Sequence, residues 1–494
     1  MLPEFTPPTA EFIAMITLYI SVCLFIGYLA HKKTKTLADF FIMGGTGGAI
    51  VTGLGYFTTQ ISASTYMGCP GYVYRYGLVG LISVIIPGTV LGLVIPGFLV
   101  GRRVVELKKK LGYLTFPDLL ADRYYSNIIR LIAAIFITLY LSAYIAAQIR
   151  AGGVIFEVFG GLPYALGVIV TGIIVTIYCL LGGIRGALWT DVFQGLLMWF
   201  AAAFAVIGGL KLVGGIESLI EYLKVNRPET LSMPGAEAWM TVPMFISQAL
   251  LWCVGGIGQP QLFTKFYAMK DKKVLARAII AATLSYSFPA ALIVFSGIFA
   301  IKAFPGLTGK EIDYVIPLIF LKAWPTIIAA FFMMGIFAAA MSTVDSQFVM
   351  VSGAIARDLY QKLINPTAPE RKVLWLSRIV VLILGVIAVA VGLNPPAAIF
   401  TIVMFAWGGL GVFTIPIVLG LYWKRTTREA AIAGIIAGNL TLLALYFGPP
   451  EIKALGGGFH PLIPAWIVTL ITMIIVSYLS PRPPKEIMDK YFAE

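Results

Sequence analysis

GLGYFTTQISASTYMGCPGYVY, residues 53–74, is apolar enough to enter a membrane yet rich in glycine and hydroxyl side chains, and it carries Pro70. In hydrocarbon every backbone N–H and C=O must be paired, so Gly and Pro within a span mark a helix that breaks where it lines a cavity. FISQALLWCVGGIGQPQLF, residues 245–263, has the same character, with Gly255, Gly256, Gly258 and Pro260 in its middle. A kink made for helix packing explains either segment alone. Two such breaks at matching places in two halves of a chain point to a transport site near the bilayer midplane.

The rest of the chain supports a membrane setting. Of 494 residues, 59% are hydrophobic and 12% are charged, about half the charged share of a soluble domain. That excludes a soluble enzyme, a disulfide scaffold and a disordered chain. Apolar runs fall at 9–31, 47–74, 79–101, 127–152, 162–183, 189–213, 241–263, 276–301, 326–356, 374–393, 397–423, 428–447 and 461–480. Each is long enough to cross about 30 Å of hydrocarbon. The expected fold is therefore an all-α polytopic membrane protein with 13 transmembrane helices. The first run lacks a basic flank and a cleavage site, and reads as a retained span.

The formal net charge of +13 becomes informative once located. With the first span running from outside to inside, 26 of the 36 basic residues fall in cytoplasmic loops, including Lys265, Arg123 and Arg130. This asymmetry places the N-terminus outside and the C-terminus in the cytoplasm of a cell (inner, plasma) membrane, and it implies no nucleic-acid partner. The long loops at 214–240 and 302–325 are expected outside, with short surface helices.

Five spans from 47 to 213 and five from 241 to 423 form two blocks of opposite topology, because five is odd. The expected domains are an extra N-terminal helix (1–46), a first inverted repeat (47–213), an extracellular loop (214–240), a second inverted repeat (241–423), and two extra helices with a cytoplasmic tail (424–494). A third polar span is FFMMGIFAAAMSTVDSQFVMVSG, residues 331–353. Ala339, Ser342 and Thr343 share one helical face, where hydroxyls and freed carbonyls would suit sodium. The plainer reading has both hydroxyls bonded to carbonyls one turn back. Asp345 is an ionisable group inside a span and so a functional candidate by default. Cys23, Cys69, Cys179 and Cys253 read as isolated thiols, and two remote histidines build no metal site.

Several long motifs resemble the sodium/solute symporter family: QISASTYMGCPG (60–71), GGIRGALWTDVFQG (182–195), GIGQPQLFTKF (256–266), AAAMSTVDSQ (338–347) and VLGLYWKRTTREAAIAG (418–434). The resemblance spans about residues 10–480 and implies a LeuT-type 5+5 inverted-repeat core, with one helix before it and two after. The sodium/pantothenate branch is the more similar, through ISAS, the YxYG segment at 74–77, and GFHPLIPA (458–465). The sodium/proline branch is nearly as similar, through Trp252 and GQP at 258–260.

The resemblance implies a main sodium site from the carbonyls of Thr58, Ile61 and Ala339 and the hydroxyls of Ser342 and Thr343. It implies a possible second sodium at Asp191, Asp345 and Ser346. Against that, Asp345 sits where cytoplasmic water enters, or Asp191 pairs with a cytoplasmic Arg or Lys. Gln60 stands where the proline branch has an aspartate, and Gly256 where it has a tyrosine. Substrate-binding candidates are Ser62, Ala63, Tyr144, Gln148, Trp252 and Gln259; the alternative is ordinary helix packing or, for Tyr144 and Trp252, an aromatic belt. Arg150, near the outer end of the fourth span, would steer anions or snorkel to headgroups.

The expected function is sodium-coupled symport, with Na+ as the coupling ion. The solute is a small pantothenate-like carboxylate imported by alternating access, or proline in the alternative. No obligatory protein partner is evident. A cation channel lacks a filter sequence or ring of like charge, and a sensor lacks an output domain in the 14 residues after 480. A membrane enzyme lacks a metal cluster or a nucleophile with its base.

Overall fold

The computed structural model describes residues 7–81 and 92–492. Among them, nine helices are long and apolar enough to cross a membrane, and they correspond to nine of the expected spans. The other four are the broken second and seventh, the fifth, which runs only to a kink, and the third (79–101), of which 82–91 lie outside the described residues. The helices that matter for the site are α1 (Thr9–His31), α2 (Ala49–Gln60), α3 (Cys69–Tyr76), α4 (Asn127–Val154), α5 (Tyr164–Val213), α6 (Val242–Cys253), α7 (Pro260–Ala268), α8 (Lys272–Phe295), α9 (Thr326–Ser352), α10 (Glu370–Leu393), α11 (Ile399–Gly411), α12 (Thr414–Tyr422), α13 (Arg428–Phe447) and α14 (Leu462–Leu479).

α9 is the axis of the bundle. Its sequence is apolar or small on every side, and a helix of that kind belongs at the centre; every residue from Phe332 to Ser352 is buried. It packs against α1, α4, α5 and α10. Small residues let backbones meet: a Cβ on Gly335 would come within 2.6 Å of the Leu197 carbonyl oxygen. Polar side chains cap helix starts, as where Ser126 accepts from the Ile129 amide (3.4 Å) and Asp271 from that of Val274 (2.8 Å).

α5 holds two expected spans joined by a reversal at Gly183, whose φ of 53° and ψ of −152° suit glycine almost alone. A Cβ there would also lie 2.6 Å from a ring carbon of Phe40. Gly183→Ala is therefore expected to cost about 2 kcal/mol or more, read as a lowered thermal midpoint of the purified protein. Gly186→Ala, whose Cβ would meet nothing nearer than 3.8 Å, should leave it unchanged.

The loops at 214–240 and 302–325 carry short helices as expected, but Val315–Ala323 is no surface helix, because Val315 to Phe320 are buried. In the loop before α14, His460 is fully buried and its ring is pushed down to about 4 by desolvation. The Leu462 amide donates to Nδ1 (3.2 Å), which leaves the neutral ring's proton on Nε2, facing the Tyr446 hydroxyl at 2.7 Å. The folded state refuses a proton that the unfolded chain takes up near pH 6.5. Stability contributed by this group is thus intact above that pH and lost as pH falls toward 4, by roughly 3 kcal/mol in full. The thermal midpoint measured between pH 7 and 4.5 should fall less steeply in His460→Gln.

Candidate functional site

α2 ends at Gln60 because the next amides leave the helical ladder. Ser62 N turns to Thr65 Oγ1 (3.5 Å), Ala63 N to Gln148 Oε1 (2.8 Å) and Ser64 N to Ser62 Oγ (3.1 Å). Thr65 N bonds to the Ser62 carbonyl instead of that of Ile61 (2.9 Å). The carbonyls of Thr58 and Ile61 thereby lose the amides that would hold them in a continuous helix. Both face α9.

There Ser342 Oγ lies 3.1 Å from the Thr58 carbonyl oxygen and 3.3 Å from that of Ala339. Thr343 Oγ1 lies 3.1 Å from the Ile61 oxygen and 3.2 Å from that of Ala339. All five residues singled out for the main site thus converge, and all are buried. The hydroxyls do reach back one turn, as the plainer reading held, and they reach across to α2 as well. Two hydroxyls carry two protons for four such approaches, so each proton is shared between two carbonyls. Edges of 3.1–3.3 Å are what oxygens make around a hard cation held at about 2.3 Å.

One turn further along α9 lies a second polar cluster. Asp191, Asp345 and Ser346 come together, but with a residue that the charge count had put in a cytoplasmic loop. Lys265, on α7, is fully buried. Its Nζ stands 3.5 Å from Asp191 Oδ2 and 3.0 Å from Ser346 Oγ. Ser346 Oγ is 3.2 Å from Asp345 Oδ1 and 3.2 Å from Thr59 Oγ1. The sequence signal was available in the spacing: Lys265 follows Pro260 by five residues, too close to the break to have left the membrane.

The six substrate candidates divide into two groups. Tyr144 Oη is 3.4 Å from Ser62 Oγ, and Gln148 bonds to Ala63, so four of them meet at the α2 break. Because Gln148 Oε1 accepts from that amide, its Nε2 is left buried with no partner among the described residues. Trp252 and Gln259 belong to the other break, between α6 and α7. Trp252 donates to Gln248 (3.0 Å) and packs on Trp407 with ring centroids 4.8 Å apart, while Gln259 donates to the Trp407 carbonyl (3.1 Å). Trp407, on α11, was not singled out from the sequence. Tyr144 and Trp252 are both buried, which corrects the aromatic-belt alternative.

Near the end of α4 the expectations for Arg150 fail. It neither snorkels nor faces solvent: Nη2 and Nε donate to Asp313 Oδ2 (2.8 and 3.1 Å), and the pair is buried. Asp313 also accepts from the Ile399 amide at the start of α11 (3.2 Å). At the opposite end of α4 Arg130 bonds Asp118 (2.7 Å) and Asp358 (2.5 Å), and Arg357 bonds Asp118 as well.

Comparison with known proteins settles the family. The profile of the Sodium:solute symporter family matches residues 40–438. The chain belongs to that family. It is 29% identical to the sodium/pantothenate symporter of Escherichia coli (strain K12), over 94% of this chain and 96% of that protein. It is 30% identical to the sodium/proline symporter of the same organism, over 96% and 94%. Its fold matches a Na+-coupled sialic acid symporter in a substrate-bound outward-open state, with a TM-score of 0.80, 21% identity, and coverage of 96% and 98%. A nucleobase-cation-symport-1 family transporter in a closed conformation matches at a TM-score of 0.56, 13% identity, and coverage of 92% and 97%. The protein is thus a multi-pass plasma-membrane symporter of the sodium:solute family, not an enzyme. It has an inverted-repeat helical bundle, and sodium is its coupling ion. Neither branch stands apart at 29% and 30% identity.

Proposed function

We propose that this symporter imports a small carboxylate-bearing solute, with one sodium held by the carbonyls of Thr58, Ile61 and Ala339 and the hydroxyls of Ser342 and Thr343. The observation that carries the reading is the convergence of these five oxygens where the α2 break meets α9. Neutral oxygens replace a hydration shell without burying an opposing charge, so the ion binds reversibly. Sodium holds the α2 break against α9, solute fills the space beside it, and the core, built of repeats taken as 47–213 and 241–423, rocks against a scaffold. The excess of basic residues in the inner loops supports an N-terminus outside and a C-terminus inside. Each charge moved inward gains about 2.3 kcal/mol per 100 mV, so one uncompensated sodium drives roughly fiftyfold accumulation.

The unpartnered Nε2 of Gln148 supports a solute carboxylate, since it needs an acceptor and lies beside Ser62 and Ala63. Pantothenate and proline, the solutes in the names of the two relatives, both carry one. Gly256, small where an aromatic would crowd the α6–α7 break, favours the longer pantothenate-like anion; the Trp252–Trp407 pair, which suits a compact ring, favours proline. Protein reconstituted in liposomes is expected to accumulate solute with external sodium and not when choline replaces it. Uptake indifferent to that exchange sinks the reading. A thermal-shift screen of carboxylates and amino acids identifies the solute as the one whose stabilisation grows with sodium.

A further inference from the structure

The inner cluster contains a cation of its own. A buried ammonium persists only where oxygens replace its water, and Lys265 has the Asp191 carboxylate and the Ser346 hydroxyl. These are two of the three residues expected to hold a second sodium, and the third, Asp345, is joined to them through Ser346. An ion bound by Asp191 and Ser346 together would have to stand where the Lys265 nitrogen stands.

We propose that Lys265 is a tethered cation that takes the place of a second sodium, so that this symporter moves one sodium per cycle. The inference rests on the five-oxygen reading of the main site. Formal charges agree with it: Asp191 and Asp345 supply two negative charges, Lys265 one positive charge, and a single sodium one turn away completes the balance. The two clusters also share a wall. A Cβ on Gly55 would lie 3.1 Å from Asp191 Oδ2, so that carboxylate lies against α2 three residues before Thr58. Thr59 bonds Ser346. Lys265 therefore steadies the end of α2 that supplies the sodium-binding carbonyls, and it does so in every conformation that keeps the Asp191 pair. A mobile second ion would have to bind and leave in each cycle.

Sodium-22 binding to the purified full-length protein, with the Hill coefficient of sodium-activated uptake in liposomes, tests this. One sodium per chain and a coefficient near 1 are expected for the wild type. Lys265→Gln removes the charge and keeps a hydrogen-bonding group; it should bind two, with a coefficient rising toward 2. Lys265→Gln with Asp191→Asn should return to one. Two sodium ions in the wild type, or one in Lys265→Gln, would overturn the proposal. Where Lys265→Gln does not fold, Lys265→Arg decides with the wild type: one sodium in both supports the tethered cation, and two in either refutes it. Thr343→Ala separates the underlying reading. If the wild-type sodium survives that change, the five-oxygen site is wrong, whereas the gain of an ion in Lys265→Gln still judges Lys265.

Discussion

Thr343→Ala is expected to raise the sodium concentration for half-maximal uptake by roughly 10- to 100-fold, and Ser342→Ala by a similar factor. Each change removes one of the five oxygens proposed to hold sodium, and with no carboxylate among them every neutral oxygen would carry a large share of the ion's coordination. A polar contact to a charged group contributes about 1.5–3 kcal/mol, and about 1.4 kcal/mol is tenfold in affinity. The Thr343 hydroxyl joins the Ile61 carbonyl of the α2 break to the Ala339 carbonyl of α9. Its loss opens the contact that couples ion to solute, and solute affinity should fall at low sodium and recover at high sodium. Uptake measured over a sodium series in liposomes checks this. Unchanged sodium dependence in both variants removes the site assignment.

Asp313→Ala is expected to destabilise the protein by about 3–5 kcal/mol, the range for a buried ion pair broken on one side. Arg150 loses both bonds to Asp313 and keeps the Lys310 carbonyl (3.2 Å) and the neighbouring Tyr164 side chain, and the Ile399 amide loses its acceptor. Three elements come apart together: the C-terminal end of α4, the loop 309–314 and the start of α11. Arg150→Met with Asp313→Leu should recover most of the loss, because apolar groups of similar volume replace a buried pair at little cost. Thermal unfolding of the detergent-purified variants checks both, and a double variant as unstable as the single one contradicts this account of the pair.

The broken helices were legible because Gly and Pro in hydrocarbon have few explanations besides a break, and both segments do break, at Ile61–Ala63 and at Val254–Gln259. Ser342 and Thr343 were legible because helical periodicity sets which residues share a face. The partners of charged groups were not legible in the same way. Lys265 was counted with the cytoplasmic basic residues, and Arg150 was assigned to a headgroup or to steering; both are buried against carboxylates, 74 and 163 residues away in sequence. Trp407 gave no signal at all, since an aromatic in an apolar run reads as lipid-facing or core with equal ease.

The division follows from the range of the forces. Membrane insertion, the breaks and the shared face of Ala339, Ser342 and Thr343 depend on solvent and on backbone pairing within a few residues, and the chain by itself determined them. Which carbonyls those hydroxyls meet, and which cation neutralises Asp191, depend on how helices from distant parts of the chain cross. Only the tertiary structure decided these, because a buried charge takes whatever partner packing brings within about 4 Å, and sequence distance does not restrict that choice.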